Sequence, residues 1–570
     1  MSSIVRILVL GGTAFVGRAI VENASRSGAA VTLFGRGRTG ADLFPGVTRL
    51  RGDRDTGDYA ALRDGTWGAV ADVSGYVPRH VGQAMDALRH RAGIVAEAEV
   101  PDRKAPTMTV RTEDIAADLA GRPTLLRDAC ARALAYLDGL ADRPVGPAAA
   151  DVAALGRLDF ALPGPGLDAA AVLALLDEAG SPATVASGGP RYFGFVTGGA
   201  LPVAQAAAWL TAAWDQNAAL SVMSPAASVF NGVALRWVAE LLGLPAGTGG
   251  GFVTGASMAN ATCLAAARDA VLTRHGWDAA GHGLVGAPPV TVVVGAQAHT
   301  TVRKALGLVG LGRDRAVVLP ADDQGRIEPR DLPSLTGPAL VCLQAGNVNS
   351  GASDPFPPLI AWAREHGAWV HVDGAFGLWA AASPGTAGQV AGVEGADSWA
   401  TDAHKWLNTT YDCGIALVAD PSALRASMEA AAAYLPEDAA VEPMHVTPQS
   451  SQRARGAEVW AVLATLGRDG LAALVDRTCA LARRFADGMR AAGHTVANDV
   501  VLNQVIVDFG DPSRTSAVVA AVQEEGTCWC GPTTWRGRAA MRVSVSCWNT
   551  TEEDIDRSVA AVLACAARKN

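Results

Sequence analysis

One stretch narrows the choice of fold more than any other. Ala368-Trp369-Val370-His371-Val372-Asp373-Gly374-Ala375-Phe376-Gly377 is apolar but for His371 up to an aspartate that closes the run. A short run without polar alternation reads as a strand buried on both faces, the kind that builds parallel sheets in α/β proteins. A carboxylate at the C-terminal end of such a strand faces the crevice in which open α/β sheets bind ligands. Downstream comes Ser398-Trp399-Ala400-Thr401-Asp402-Ala403-His404-Lys405-Trp406-Leu407-Asn408, where Lys405 stands between two tryptophans and beside an imidazole. Neighbours of that kind are expected to desolvate the ammonium and free the amine for nucleophilic, Schiff-base chemistry.

The length, 570 residues, suggests about three or four domains. Hydrophobic residues make up 49% and charged residues 18%, with 63 glycines, a composition of loop-punctuated α/β architecture. A formal charge of -9 excludes a broad nucleic-acid or anionic-membrane surface. The nine cysteines are scattered, without paired metal spacing, as in a reduced cytoplasmic protein with no metal site. The uncharged stretch Tyr192 to Trp214 is long enough to span a bilayer, but Gly194, Gly198, Gly199, Pro202 and Gln205 interrupt it. It reads as buried interior, and no membrane segment is expected.

Ile4 to Leu10 reads as a buried strand, followed by Gly11-Gly12-Thr13-Ala14-Phe15-Val16-Gly17 opening a helix. Glycines at such a turn let the backbone approach a pyrophosphate. Strands at Ala30 to Phe34, Val47 to Arg51 and Ala69 to Val73 continue the pattern, and an arginine of Gly35-Arg36-Gly37-Arg38 is placed to meet a 2′-phosphate. The segment 1–93 resembles the start of an extended short-chain dehydrogenase or NAD-dependent epimerase. The resemblance stops near residue 93, with Ala14 where relatives carry a middle glycine and no Tyr-x-x-x-Lys pair downstream, so a truncated Rossmann-like segment is expected. Residues 94–122 read as a linker, and a helix pattern begins at about Thr124.

Further on, Gly249 to Asn260 runs into an alanine-rich helix, and small residues there leave backbone N–H groups free to cradle an anion, with Ala256 and Ser257 at its start. His299 follows the strand Val290 to Val294, and Asn347 follows the strand Ala339 to Leu343. Taken with Asp373 and Lys405, these motifs resemble the group II pyridoxal-phosphate-dependent decarboxylases, the family of aromatic amino acid and glutamate decarboxylases, over roughly residues 123 to 565.

That resemblance implies a fold-type-I α/β architecture: a mainly parallel seven-stranded large domain at 191–420, a helical segment at 123–190 before it, and a smaller C-terminal α/β domain at 421–570. It implies pyridoxal 5′-phosphate as cofactor and an L-amino acid as substrate, with the aromatic amino acids among the family's substrates, in a homodimer. Lys405 is then the Schiff-base lysine, Asp373 the partner of the pyridinium nitrogen, and His299 the group stacked on the ring. Ala256, Ser257 and His404 contact the phosphate, with Asn347 and Ala375 beside the cofactor. Pro190-Arg191-Tyr192-Phe193-Gly194-Phe195 resembles the family's aromatic approach to the substrate.

One departure is plain. Pro443-Met444-His445-Val446-Thr447-Pro448 lies where the family carries a loop tyrosine that protonates the carbanion, and the nearest tyrosine is Tyr434. His445 is the substitute the sequence offers, and relatives that lose the tyrosine form aldehydes by oxidative deamination. The resemblance therefore admits decarboxylation, or amino transfer or aldehyde formation on the same scaffold, and Arg542 is read either as a carboxylate partner or as a fold-stabilising ion pair. A nucleotide-binding regulator using the N-terminal glycine turn is the reading from another class.

Overall fold

The computed structural model describes residues 5–10, 15–37, 43–72, 83–84, 86–88, 112–429 and 442–569. The chain divides into two compact units, Met1–Ile115 and Ala116–Asn570.

In the first unit, β1 (Arg6–Leu10), β2 (Ala30–Gly35), β3 (Thr48–Arg51) and β4 (Ala69–Asp72) form a parallel sheet in the order β3-β2-β1-β4. Alternate side chains of β1 and β2 go to opposite faces, Leu8, Leu10 and Phe34 to one cluster and Val9, Val31 and Leu33 to the other. The helix Phe15–Arg26 follows β1. The turn Gly11 to Ala14 and Arg38 lie outside the described residues, and Arg36 is paired with Asp55 at 3.0 Å. At the C-terminal end of β4, Asp72 is taken up by both guanidinium nitrogens of Arg54, at 2.6 and 2.7 Å.

The helix placed at Thr124 by its apolar spacing starts earlier, spanning Thr112–Asp138 with Pro123 inside. The stretch 112–122, expected as linker, is thus helical, because Ala116, Ala117 and Leu119 extend a helix-forming run that the proline does not interrupt.

The second unit is built on seven strands among the described residues: β5 (Gly249–Val253), β6 (Thr291–Gly295), β7 (Val317–Leu319), β8 (Ala339–Gln344), β9 (Trp369–Asp373), β10 (Ser398–Asp402) and β11 (Gly414–Val418). Their order is β5-β11-β10-β9-β8-β6-β7, parallel except for β11, which runs antiparallel to both its neighbours. Both faces are covered. Val293, Val341, Leu343, Val370 and Val372 enter one core, while Val292, Val294, Leu340, Cys342 and Trp369 pack beneath the buried helix Ala256–Arg274 in the other. Continuous apolar strands are what a doubly covered parallel sheet requires.

Towards the C-terminus, β12 (Thr495–Val496), β13 (Gln504–Asp508), β14 (Gly531–Trp535) and β15 (Arg538–Ser544) make an antiparallel sheet in the order β12-β13-β15-β14. The helices Pro512–Glu525, Glu552–Ala567 and the later part of Arg455–Ala491 supply its core through Val518, Ile555 and Phe485.

The run Tyr192 to Trp214 is not buried throughout. Tyr192 and Phe193 are, but the helix Pro202–Trp214 exposes Trp209, Leu210 and Trp214. Among the described residues no helix is long and apolar enough to cross a membrane.

Candidate active site

β9 and β10 are parallel neighbours with Ala400 opposite Asp373, so the chain leaving β10 passes the Asp373 carboxylate before turning. That turn carries the lysine. Lys405 Nζ lies 2.8 Å from Asp402 Oδ2, and His404 Nε2 lies 3.7 Å from the same oxygen. His404 Nδ1 accepts the Cys413 backbone N–H at 3.0 Å, which leaves its proton on Nε2, facing Asp402. Burial lowers the His404 pKa and Asp402 opposes that shift. Tyr411 stacks on the imidazole with ring centres 4.3 Å apart.

The two tryptophans do not form the lysine's surroundings. Trp399 donates to the Val393 carbonyl and Trp406 to Thr478 Oγ1, both wholly buried in the sheet's core. Adjacent residues of a strand or tight turn point to different sides, so Lys405 meets a carboxylate three positions back instead of its sequence neighbours. Asp402, unremarked in the sequence, is its partner, and an i,i+3 acid before a candidate lysine was the available signal.

Ala256 and Ser257 open the helix Ala256–Arg274, whose N-cap Gly255 supplies no side-chain acceptor. Met258 and Ala259 donate to the Gly255 carbonyl, which leaves the N–H groups of Ala256 and Ser257 as the ones without a partner in the helix. A Cβ on Gly255 would come 3.4 Å from His404 Cε1 and 3.6 Å from Asp402 Oδ1, so the helix start, His404 and Asp402 close on one small space. The buried Asp402 Oδ1 and Thr401 Oγ1 have no hydrogen-bond partner there.

His299 caps the helix Thr300–Leu308, its Nδ1 accepting the Thr301 N–H at 3.3 Å and standing 2.7 Å from Thr301 Oγ1. Burial lowers its pKa, and it feels Asp373, Lys405, Arg542 and Asp402. Asp373 is buried, and burial raises its pKa against the pull of His299 and Lys405. Its Oδ1 accepts from Ala375 N–H at 3.3 Å, while the Ala375 carbonyl takes the Asp402 N–H at 3.0 Å, which ties the two acids together through backbone. His299 and Asp373 also line a common narrow cavity with Gln344 and Gly295.

Asn347 and His445 make contacts within their own loops. Asn347 spends its amide oxygen on the N–H groups of Asn349 and Ser350, at 2.8 and 3.2 Å, so it organises its own loop; its Nδ2 is buried without a partner. His445 is buried in the short helix Pro443–His445, and its described interactions run to Glu442 and Glu429, not to the lysine cluster. Arg542 does face the cluster. Burial lowers its pKa, its Nε has no partner, its Nη1 donates to the Val348 carbonyl at 3.4 Å, and among the described residues no carboxylate pairs with it. Tyr192 lies beside both Arg542 and Tyr411, and stacks on Trp529 at 5.2 Å, with Phe195 on the same indole at 5.4 Å.

Residues 182–507, more than half of the chain, match the pyridoxal-dependent decarboxylase conserved domain. The chain belongs to that family. This chain is 33% identical over 285 residues to a tyrosine decarboxylase of Oryza sativa subsp. japonica, covering 46% of this chain and 52% of that one. It is 32% identical to a phenylacetaldehyde synthase of Arabidopsis thaliana, covering 46% and 57% respectively. It thus spans about half the length of the curated relatives it matches. The solved structure of Oryza sativa TDC with PLP and tryptamine superimposes with a TM-score of 0.71 at 23% identity, over 81% of this chain and 99% of that one, which establishes the fold-type-I architecture.

Pyridoxal 5′-phosphate is the cofactor of this family. The residues present fit it: an uncapped helix start for an anion, a buried acid for a ring nitrogen, a lysine amine, and a glycine without which a Cβ would fill the space between them.

Proposed function

We propose that this protein decarboxylates an L-amino acid, aromatic by preference, with pyridoxal phosphate held at Lys405. The observation that carries the reading is the convergence of Lys405, Asp402, His404, His299 and Asp373 at the C-terminal ends of the central strands β6, β9 and β10. When bound, the cofactor supplies a carbonyl that links to amines and a ring that takes up the electrons of a bond breaking at the substrate Cα. Ala256, Ser257 and His404 would hold its phosphate. Asp373 would hold a proton at the ring nitrogen, and His299, whose Nδ1 accepts the Thr301 N–H and so leaves its proton on Nε2, would cover the ring. Lys405 Nζ would link the cofactor's carbonyl to the protein with loss of water, and Asp402 Oδ2, 2.8 Å away, is placed to take a proton from the ammonium so that the amine is free to react. Arg542, whose Nε has no partner, is the candidate to bind a substrate carboxylate, and Tyr192, Phe195 and Trp529 offer the aromatic wall that favours an aromatic side chain.

Aldehyde formation is the second reading, favoured by the absence of a tyrosine from Pro443 to Pro448. The test is to offer the purified protein a panel of L-amino acids and measure CO2 together with aldehyde. Amine and CO2 without aldehyde support the first reading. Aldehyde in proportion to CO2 supports the second, and neither product from any amino acid sinks both.

Two coarser features belong to the same proposal. The exposed Trp209, Leu210 and Trp214 form an apolar face of the kind that obligate homodimers bury, and an active monomer by solution mass would overturn a dimer. The front segment is a truncated dinucleotide-type fold, supported by its parallel β3-β2-β1-β4 order. Added NAD or NADP is expected to leave turnover unchanged.

A further inference from the structure

β9 sets Trp369, His371 and Asp373 on the same face, at alternate positions, and all three are buried. Ser398 of β10 stands opposite His371 in the parallel register. From the helix above, Asn260 reaches down between His371 and Asp373 with no exposed surface. The contacts form a chain. Trp369 Nε1 donates to Ser398 Oγ at 2.9 Å, Ser398 Oγ lies 2.9 Å from His371 Nδ1, and His371 Nε2 lies 2.8 Å from Asn260 Oδ1. Asn260 Nδ2, buried without a partner at ordinary hydrogen-bond length, is left to the Asp373 carboxylate, which it draws toward the ionised form.

The direction of this chain follows from what each group can give. An indole N–H only donates and an ionised carboxylate only accepts. With Trp369 occupying one lone pair of Ser398, the serine proton goes to His371 Nδ1, the imidazole proton sits on Nε2, and the Asn260 oxygen receives it. The amide N–H groups must then face Asp373. Turning the amide over would oppose its oxygen to the carboxylate and leave the buried serine proton without an acceptor, at the cost of an unpaired buried group.

We propose that Asn260 is a positioning residue for Asp373, oriented through Trp369, Ser398 and His371 so that its N–H groups hold that acid as a carboxylate. An anionic partner is what keeps a pyridinium nitrogen protonated, so the inference rests on the cofactor reading above. His299, Lys405 and Cys342 are the other titratable groups that face Asp373, and none of them belongs to the chain from Trp369 to Asn260.

The decisive variant is Asn260→Asp, which is nearly isosteric, keeps an oxygen for His371 and replaces only the donor that faces Asp373. Two measurements are needed. In the cofactor-free protein, nitrogen NMR of labelled histidines, assigned by the signal lost in His371→Gln, should show His371 neutral with its proton on Nε2 throughout the neutral pH range. In binding titrations with pyridoxal phosphate, Asn260→Asp should lose roughly tenfold or more in affinity, as expected for a hydrogen bond to a charged group. Trp369→Phe should keep the fold and let the His371 proton populate Nδ1. A wild-type proton on Nδ1, or unchanged pyridoxal phosphate affinity in a folded Asn260→Asp, would overturn the proposal. Failure of the wild-type protein to bind pyridoxal phosphate would instead overturn the cofactor reading, while the tautomer still decides the orientation of the chain. If Asn260→Asp does not fold, the tautomer shift in Trp369→Phe decides, and its absence counts against the proposal.

Discussion

Lys405 and Asp402 form a short ion pair in which the acid is almost wholly buried. Removing one partner of such a pair strands the other, a loss of about 2–5 kcal/mol. Asp402→Ala is therefore expected to cut turnover by roughly tenfold or more, whereas Lys405→Ala should abolish it. Borohydride treatment of the loaded protein should leave a pyridoxyl mass on Lys405; an adduct on another lysine would refute the assignment. His371 gives a prediction of another kind. Burial pushes its pKa from an ordinary 6.5 down to about 3. The unfolded chain then binds the extra proton between those values, so the stability this group contributes is complete above pH 6.5 and is lost as pH falls toward 3. Within that window the cost is about 1.4 kcal/mol per pH unit. Urea denaturation of His371→Gln across the acid range should show a pH slope shallower by about one proton, and an identical slope would mean that the imidazole is not held neutral.

Strand spacing and loop approach govern how well the site is assembled. β11 lies so close to the start of the helix Ala256–Arg274 that a Cβ on Gly414 would overlap the Gly255 backbone, and one on Gly198 would overlap the Lys405 carbonyl. Neither neighbour is a flexible side-chain end, so the backbone itself would have to move. Gly414→Ala is expected to cost about 1–3 kcal/mol of stability through overpacking and to weaken pyridoxal phosphate binding as well. Gly493→Ala, at a turn glycine with open space around it, serves as the control: its strain at φ 83° reduces stability, and its cofactor affinity stays at the wild-type value. Equal cofactor affinity in wild type and Gly414→Ala would show that this approach does not shape the anion site.

All candidate site residues belong to the unit Ala116–Asn570, and the conserved domain lies inside it. A protein that begins just before Thr112 is accordingly expected to fold, to bind pyridoxal phosphate and to keep its turnover. Loss of cofactor binding in that truncation would show that the front segment is part of the active enzyme. The first unit presents four described parallel strands, and the acid at the end of β4 is already paired with Arg54, so no free carboxylate stands there for chemistry.

Local patterning determined a good part of this protein. Unbroken apolar runs at Thr291–Gly295, Ala339–Gln344 and Trp369–Asp373 marked strands of a doubly covered sheet, because only burial on both faces removes the need for polar alternation. The order of helix start, histidine, aspartate and lysine was legible through the resemblance to the decarboxylases, which gave a role to residues such as His299 that patterning alone leaves ordinary. Tertiary structure alone decided what those residues touch. The antiparallel insertion of β11 put Gly414 against Gly255 and so drew His404 to the helix start. The turn after β10 turned Lys405 from the tryptophans beside it in sequence to Asp402. Asn260 carried no signal at all, since an asparagine inside an alanine-rich helix has meaning only when a strand brings His371 and Asp373 beneath it, and hydrogen-bond partners so far apart in the chain are set by packing.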